Sequence, residues 1–128
     1  MEVDVDIKRA YEEPSEDDGR RFLVDRVWPR GRSREALDLE AWTRDVAPSD
    51  ELRKWFGHDP ERWEGFRRRY RQELRERPEA LEPLLEAARD GPVTLVYGAR
   101  DTERNNAVVL RDVLVERLGR GHGTARDA

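Results

Sequence analysis

Val93-Thr94-Leu95-Val96-Tyr97 constrains the fold more than any other stretch of the chain. It is a nearly continuous apolar run between Asp90-Gly91-Pro92 and Gly98. A strand with one wet face alternates apolar and polar residues; a run of this kind needs cover on both faces. Helices must then flank a sheet, which is an α/β arrangement. Two further strands follow from pattern. Val3, Val5 and Ile7 alternate with Asp4 and Asp6, at period two. Phe22-Leu23-Val24 forms the apolar centre of a strand from Arg21 to Asp25.

The segments between these strands read as helices. Ser33 can cap a short helix through Leu37. Leu39, Trp42 and Val46 keep helical spacing until Ala47-Pro48. Ser49 then caps a helix that turns Leu52, Trp55 and Phe56 inward and stops at Gly57. Asp59-Pro60 is a start signal, and Trp63, Phe66, Tyr70 and Leu74 form one apolar stripe behind it. Pro78 opens a helix buried through Leu81, Leu84, Leu85 and Ala88. Asp101 or Thr102 caps a last helix through Ala107, Leu110, Leu114 and Leu118. The expected order is β-β-α-α-α-α-β-α.

A small, mostly parallel sheet of three strands, or slightly more, flanked by helices is the economical solution. The link Glu12–Gly19 is short for a parallel crossover, which leaves an antiparallel hairpin as the alternative. Ser15 within it can cap a single helical turn. One domain is expected over 1–118 and a mobile tail over 119–128.

Charge and composition narrow the function. Acids outnumber bases, 29 to 25, for a net charge of −4, which argues against nucleic acid as the main partner. The absence of cysteine excludes thiolate metal sites, disulfides and cysteine nucleophiles. The start has no basic or apolar leader pattern, and no apolar run reaches membrane-spanning length. A cytoplasmic protein with no membrane partner is expected.

In an open parallel sheet, ligands bind outside the carboxyl ends of the strands. Three exits would converge there. The first carries Arg9 and Tyr11; the second carries Asp25, Arg26, Trp28 and Arg30; the third carries Tyr97, Arg100 and Asp101, then Asn105 and Asn106. Arginine forks grip phosphate or carboxylate through paired donors. Arg9, Arg26 and Arg30 are thus the expected anion ligands, with Trp28 and Tyr97 as walls and Asn105 orienting the ligand. Asp25, Asp101 and His58 are the candidate acid–base groups. Each also has a plainer reading. In a chain that is 42% charged, Asp25 can simply pair with Arg26, Arg30 or Arg100. Trp28 can be a core or rim aromatic, and Asp101 only a helix cap.

His58 follows Lys54-Trp55-Phe56-Gly57, and histidine is the side-chain type suited to general-base work near neutral pH; Asp59 beside it is better used as a cap. With no cysteine and no second histidine nearby, His58 makes a poor metal ligand. His122 falls in the tail. No phosphate-loop, dinucleotide or nucleophile-elbow pattern occurs. The arginines from Arg67 to Arg75 are interleaved with Glu64, Glu73 and Glu76, the pattern of a solvated helix face.

Asp25-Arg26-Val27-Trp28-Pro29-Arg30-Gly31 and Leu52-Arg53-Lys54-Trp55-Phe56-Gly57-His58 carry a resemblance. With Gly91-Pro92-Val93-Thr94-Leu95 and Asn105-Asn106-Ala107, they resemble the YeaO-like proteins of bacteria and archaea, domain-of-unknown-function family 488. The likeness runs in register from residue 5 to about 115. It implies a single cytoplasmic α/β domain and brings no activity with it. Gly98 stands where similar sequences more often have Ala. Two functions are therefore weighed. One is a pocket for a small anionic molecule, catalytic or not. The other is a regulatory domain binding protein or nucleic acid through the arginine-rich helix. The sequence names no substrate, cofactor or oligomeric state.

Overall fold

The computed structural model describes residues 3–127, with side chains described as far as Gly119. Four strands, β1 (Val5–Arg9), β2 (Arg20–Leu23), β3 (Ala41–Trp42) and β4 (Val93–Tyr97), form one sheet. All neighbours are parallel, in the order β1-β4-β2-β3. The helices are α1 (Arg34–Leu37), α2 (Asp50–Phe56), α3 (Trp63–Arg75), α4 (Pro78–Asp90) and α5 (Asn106–Asp127). The tail expected over 119–128 falls almost wholly on residues whose side chains lie outside the description. The backbone of α5 is helical as far as Asp127.

β4 sits in the middle and is buried at every position, as its composition requires. Val93, Leu95 and Tyr97 share one face with Phe22 and Val24, and join the main core with α3, α4 and α5. Leu23 and Val96 point the other way, into a smaller cluster with Ala10 and Leu37 of α1. The two faces of β4 therefore have separate covers.

The link from β1 to β2 crosses over β4, so the short parallel connection forms and the hairpin does not. Asp18 pins it. Its carboxylate accepts from Lys8 Nζ at 3.1 Å, Arg21 Nη1 at 2.6 Å and the Ser15 amide at 3.0 Å. Its carbonyl accepts the Thr94 hydroxyl at 2.8 Å. Three strands are thus tied to one residue of the link. Ser15 caps the 3-10 turn Glu16–Asp18, as expected. Gly19, at φ 65°, closes the link because a Cβ there would lie 2.3 Å from the Pro92 carbonyl oxygen.

Two expectations need correction. Leu39, Trp42 and Val46 do not share a helix; Ala41–Trp42 is a fourth strand and Arg44–Val46 a 3-10 turn. The exposed edge of β2 captures this segment: Glu40 N donates to Arg21 O at 2.8 Å, and Thr43 N to Leu23 O at 2.9 Å. The last helix is capped by neither Asp101 nor Thr102. Asn105 Oδ1 accepts from Val108 N at 3.0 Å, while Asp101 closes the preceding turn through the amides of Glu103 and Arg104.

The other boundaries follow local chemistry. Ser33 and Ser49 accept from Ala36 N and Leu52 N to cap α1 and α2. Gly57 ends α2 in the left-handed region. Asp59 accepts from Glu61 N to open a 3-10 turn that leads into α3. Among the described residues no helix is long and apolar enough to cross a membrane.

Candidate functional site

A cavity of about 470 Å³ opens past the carboxyl ends of β2 and β4. The loop after β2 forms one wall with Asp25, Arg26, Trp28 and Arg30. The end of α2 forms the opposite wall with Arg53, Lys54, Phe56 and His58. Gly98, Ala99, Asn105 and Asn106 close the third side, and Phe66 of α3 backs the interior.

Asp25 is the centre of the polar floor. Oδ2 accepts from Gly98 N at 2.8 Å, and Oδ1 accepts from Asn106 Nδ2 at 3.0 Å. Among the described residues it makes no ion pair within 4.0 Å, so the plain pairing with Arg26, Arg30 or Arg100 does not occur. Burial pushes its carboxyl above the ordinary value; the Gly98 amide and Asn106 oppose this, as do His58 and Arg53 at longer range. Asp18 is the opposite case in the same sheet. Burial would raise it too, but the Ser15 amide, Lys8 and Arg21 together hold it below the ordinary value. One aspartate is compensated by two cations; the other is left open to a cavity. Gly98 leaves it room, since a Cβ there would lie 3.2 Å from Oδ2.

The expected residues divide. Asp25, Arg26, Trp28, Arg30, His58 and Asn105 all line the cavity. Arg26 is partly engaged: Nε donates to Pro48 O at 3.2 Å and lies 3.9 Å from Asp50. Arg30 is exposed, and among the described residues neither Arg30 nor Lys54 makes an ion pair. Trp28 serves two purposes. Nε1 donates to Arg32 O at 2.7 Å and its ring meets Trp42 edge-on at 5.4 Å, yet it also faces the cavity. His58 is exposed at the mouth with φ 58°, its ring 5.8 Å from that of Phe56. A non-glycine residue held left-handed is uncommon and concentrates at functional positions.

Arg9, Tyr97 and Asp101 do not reach the cavity. Arg9 Nε donates to Ala99 O at 2.8 Å and its guanidinium lies 5.1 Å from the Tyr11 ring, so it braces two lining residues from behind. Tyr97 is buried in the main core, and burial raises its phenol above the ordinary value. Asp101 caps a surface turn, where the amides of Glu103 and Arg104 lower its carboxyl. Asn105 touches the cavity, but its carboxamide is occupied: Nδ2 donates to Asp101 O at 2.8 Å, and Oδ1 caps α5. Asn106, not Asn105, turns its amide to Asp25, and a second bond to Val24 O at 3.1 Å fixes it.

Arg53 was not anticipated as a lining residue. The signal was present in the run Arg53-Lys54-Trp55-Phe56-Gly57-His58, since positions one turn apart on a helix share a side. Among the described residues no three His, Asp or Glu side chains group closely enough to hold a metal ion. The arginine face of α3 is largely occupied. Arg67 pairs with Glu64 and Arg71 with Glu116, and Arg69 lies 4.0 Å from the Trp55 ring.

Fold and cavity together define a small parallel α/β domain with a hollow at the carboxyl edge of its sheet. The chain belongs to the family described as the inactive DUF488-N3 subclade, which it matches over residues 4–128. It is 42% identical over 113 residues to the uncharacterized protein Rv3073c of Mycobacterium tuberculosis, covering 88% of this chain and 95% of that one. It is 38% identical over 112 residues to the uncharacterized protein YeaO of Escherichia coli, covering 88% and 97%. The YeaO-like resemblance is therefore a family relationship. No solved structure matches at a significant level.

Proposed function

We propose that this domain binds a small phosphate- or carboxylate-bearing molecule in the carboxyl-edge cavity and holds it without turning it over. The observation that carries the reading is a local reversal of charge. Arg26, Arg30, Arg53 and Lys54 line the cavity, with His58 at its mouth; among the described residues Asp25 is the carboxylate on the lining, while Asp50 pairs with Arg53 at 3.2 Å and lies 3.9 Å from Arg26. The whole chain is acidic, at −4. Cations gathered in a concave site raise the local concentration of anions. Arg30 and Lys54, free of ion pairs among the described residues, are the groups with most charge to offer. The position also suits an open parallel sheet, whose strands leave a crevice at this edge.

The family description, an inactive subclade, favours holding over chemistry. In this reading Asp25 and His58 contact the ligand and do not relay protons. The arginine-rich face of α3 is the weaker interaction surface, because Arg67, Arg69 and Arg71 are already paired or stacked.

Calorimetric titration with inorganic phosphate, pyrophosphate and citrate tests the reading. At least one should bind the wild type, and Arg30→Ala and Lys54→Ala should each weaken it roughly 10-fold, the worth of one charge-assisted hydrogen bond. Equal affinities in wild type and both variants would remove the cavity as the anion site.

A further inference from the structure

We infer that the ligand is a guanine nucleotide, its base edge on Asp25 and its phosphate on the cations at the mouth; this rests on the anion-pocket reading above.

The floor of the cavity still has acceptors to satisfy. An ionised carboxylate offers about four lone-pair sites. Gly98 N and Asn106 Nδ2 each take one, on different oxygens. Among the described residues no cation lies within 4.0 Å of Asp25 to take the rest. A simple anion would meet this carboxylate as a like charge. The cavity therefore has two ends of opposite demand: N–H donors at the floor and negative charge at the mouth. A ligand with adjacent N–H groups at one end and a phosphate at the other satisfies both.

The walls specify what lies between. Trp28 and Pro48 line the walls; Phe56 and Phe66 line them too, buried and stacked on each other at 4.5 Å, so the half-buried indole of Trp28 is the aromatic with surface to offer. Aromatic faces hold planar bases by stacking, worth about 1–3 kcal/mol per base. The volume of about 470 Å³ falls within the usual range for small-molecule sites. Asn106 holds the carboxylate in place: its amide is fixed by both Val24 O and Asp25 Oδ1. Among the common bases, guanine presents a ring N–H beside an exocyclic amine, which matches the two oxygens of a carboxylate. Adenine and cytosine set their amine beside a ring acceptor. Uracil sets its single N–H between two carbonyls. Each of these would turn at least one acceptor toward Asp25.

Titration of the whole chain with 5′-GMP, 5′-IMP, 5′-AMP and inorganic phosphate, followed by calorimetry, tests the assignment. GMP should bind about 10-fold or more tightly than AMP, and IMP, which lacks the exocyclic amine, should fall between them. Asp25→Asn should bring GMP and AMP within about twofold of each other, with a thermal melt to check folding. The nucleotide series on wild type needs no variant and stands if Asp25→Asn fails to fold. Equal binding of GMP and AMP, with phosphate still bound and dependent on Arg30, would overturn the guanine assignment and leave the anion pocket standing. No binding of any probe, phosphate included, would overturn both. Tighter binding of a trinucleotide with a central guanine than of GMP would overturn the mononucleotide in favour of a strand.

Discussion

Asp18→Ala removes the one carboxylate that Lys8 and Arg21 share. Lys8 Nζ lies 3.1 Å from Oδ1 and Arg21 Nη1 2.6 Å from Oδ2. Arg21 is 3% exposed and one of its terminal nitrogens already lacks a partner, so the substitution strands a cation in a dry place. Breaking a buried pair from one side costs about 3–5 kcal/mol. Lys8 keeps a path to water, which places the expectation near the lower end, about 3 kcal/mol. A small domain has a total stability of roughly 5–15 kcal/mol, so this is a large share of it. Urea unfolding followed by tryptophan fluorescence should show the midpoint falling by roughly 1–3 M. Adding Arg21→Met should recover part of the loss, because the stranded charge goes with it. A single variant within about 1 kcal/mol of wild type, or a double variant less stable than the single, would mean that the shared carboxylate does not hold the link in this way. The pH dependence has a definite sign. The Asp18 carboxyl is held below its ordinary value of 3.8, so its contribution is present above that value and disappears as pH falls through the lowered one. The gap between wild type and variant should therefore persist at neutral pH and close only on strong acidification. Asp25 has the opposite sign: its raised carboxyl opposes folding at neutral pH, and that penalty is relieved as pH falls through its folded value.

Gly65→Ala in α3 would place a methyl 2.7 Å from Trp55 Cη2, beneath the ring that Arg69 and Arg62 cover at 4.0 and 5.3 Å. A loss of about 1–3 kcal/mol in a thermal melt is expected, with weaker phosphate binding because Lys54 and Phe56 flank the displaced indole. His58→Gly should stabilise the fold by about 0.5 kcal/mol, since glycine occupies φ 58° without the steric cost. The same variant should lose affinity for phosphate; stability and affinity falling together would refute the view that His58 is held strained for binding.

Local pattern made much of this fold readable. The central strand, the caps at Ser33, Ser49 and Asp59 and the stop at Gly57 all follow from residue chemistry that acts within a few positions. β3 did not show, because two residues are too few to display a period, and Leu39, Trp42 and Val46 happen to repeat at helical spacing. Its pairing depends on the free edge of β2, a partner distant in sequence. The site divides in the same way. Asp25, Arg26, Trp28 and Arg30 were readable because a strand that breaks into charge and a Pro-Arg-Gly turn must leave the sheet at its edge. Tyr97 was misplaced although alternation held the answer: it shares a face with Val93 and Leu95, so it enters the core and not the crevice. Asn105 and Asn106 could not be told apart by type. Which one caps the helix and which reaches Asp25 depends on a turn set by Asp101.

The order β1-β4-β2-β3 also governs how the chain comes together in time. The strand that joins both halves of the sheet is the last to leave the ribosome, and Val5 must wait for Val93 before it has a neighbour. Before β4 emerges, β2 can pair only with the two residues of β3 and β1 has no strand beside it, and such distant pairings slow the search for the native state. A nascent chain halted before Gly91 would hold β1 and β2 with nothing to connect them, leaving the edge of each that faces β4 open for chaperones to shield.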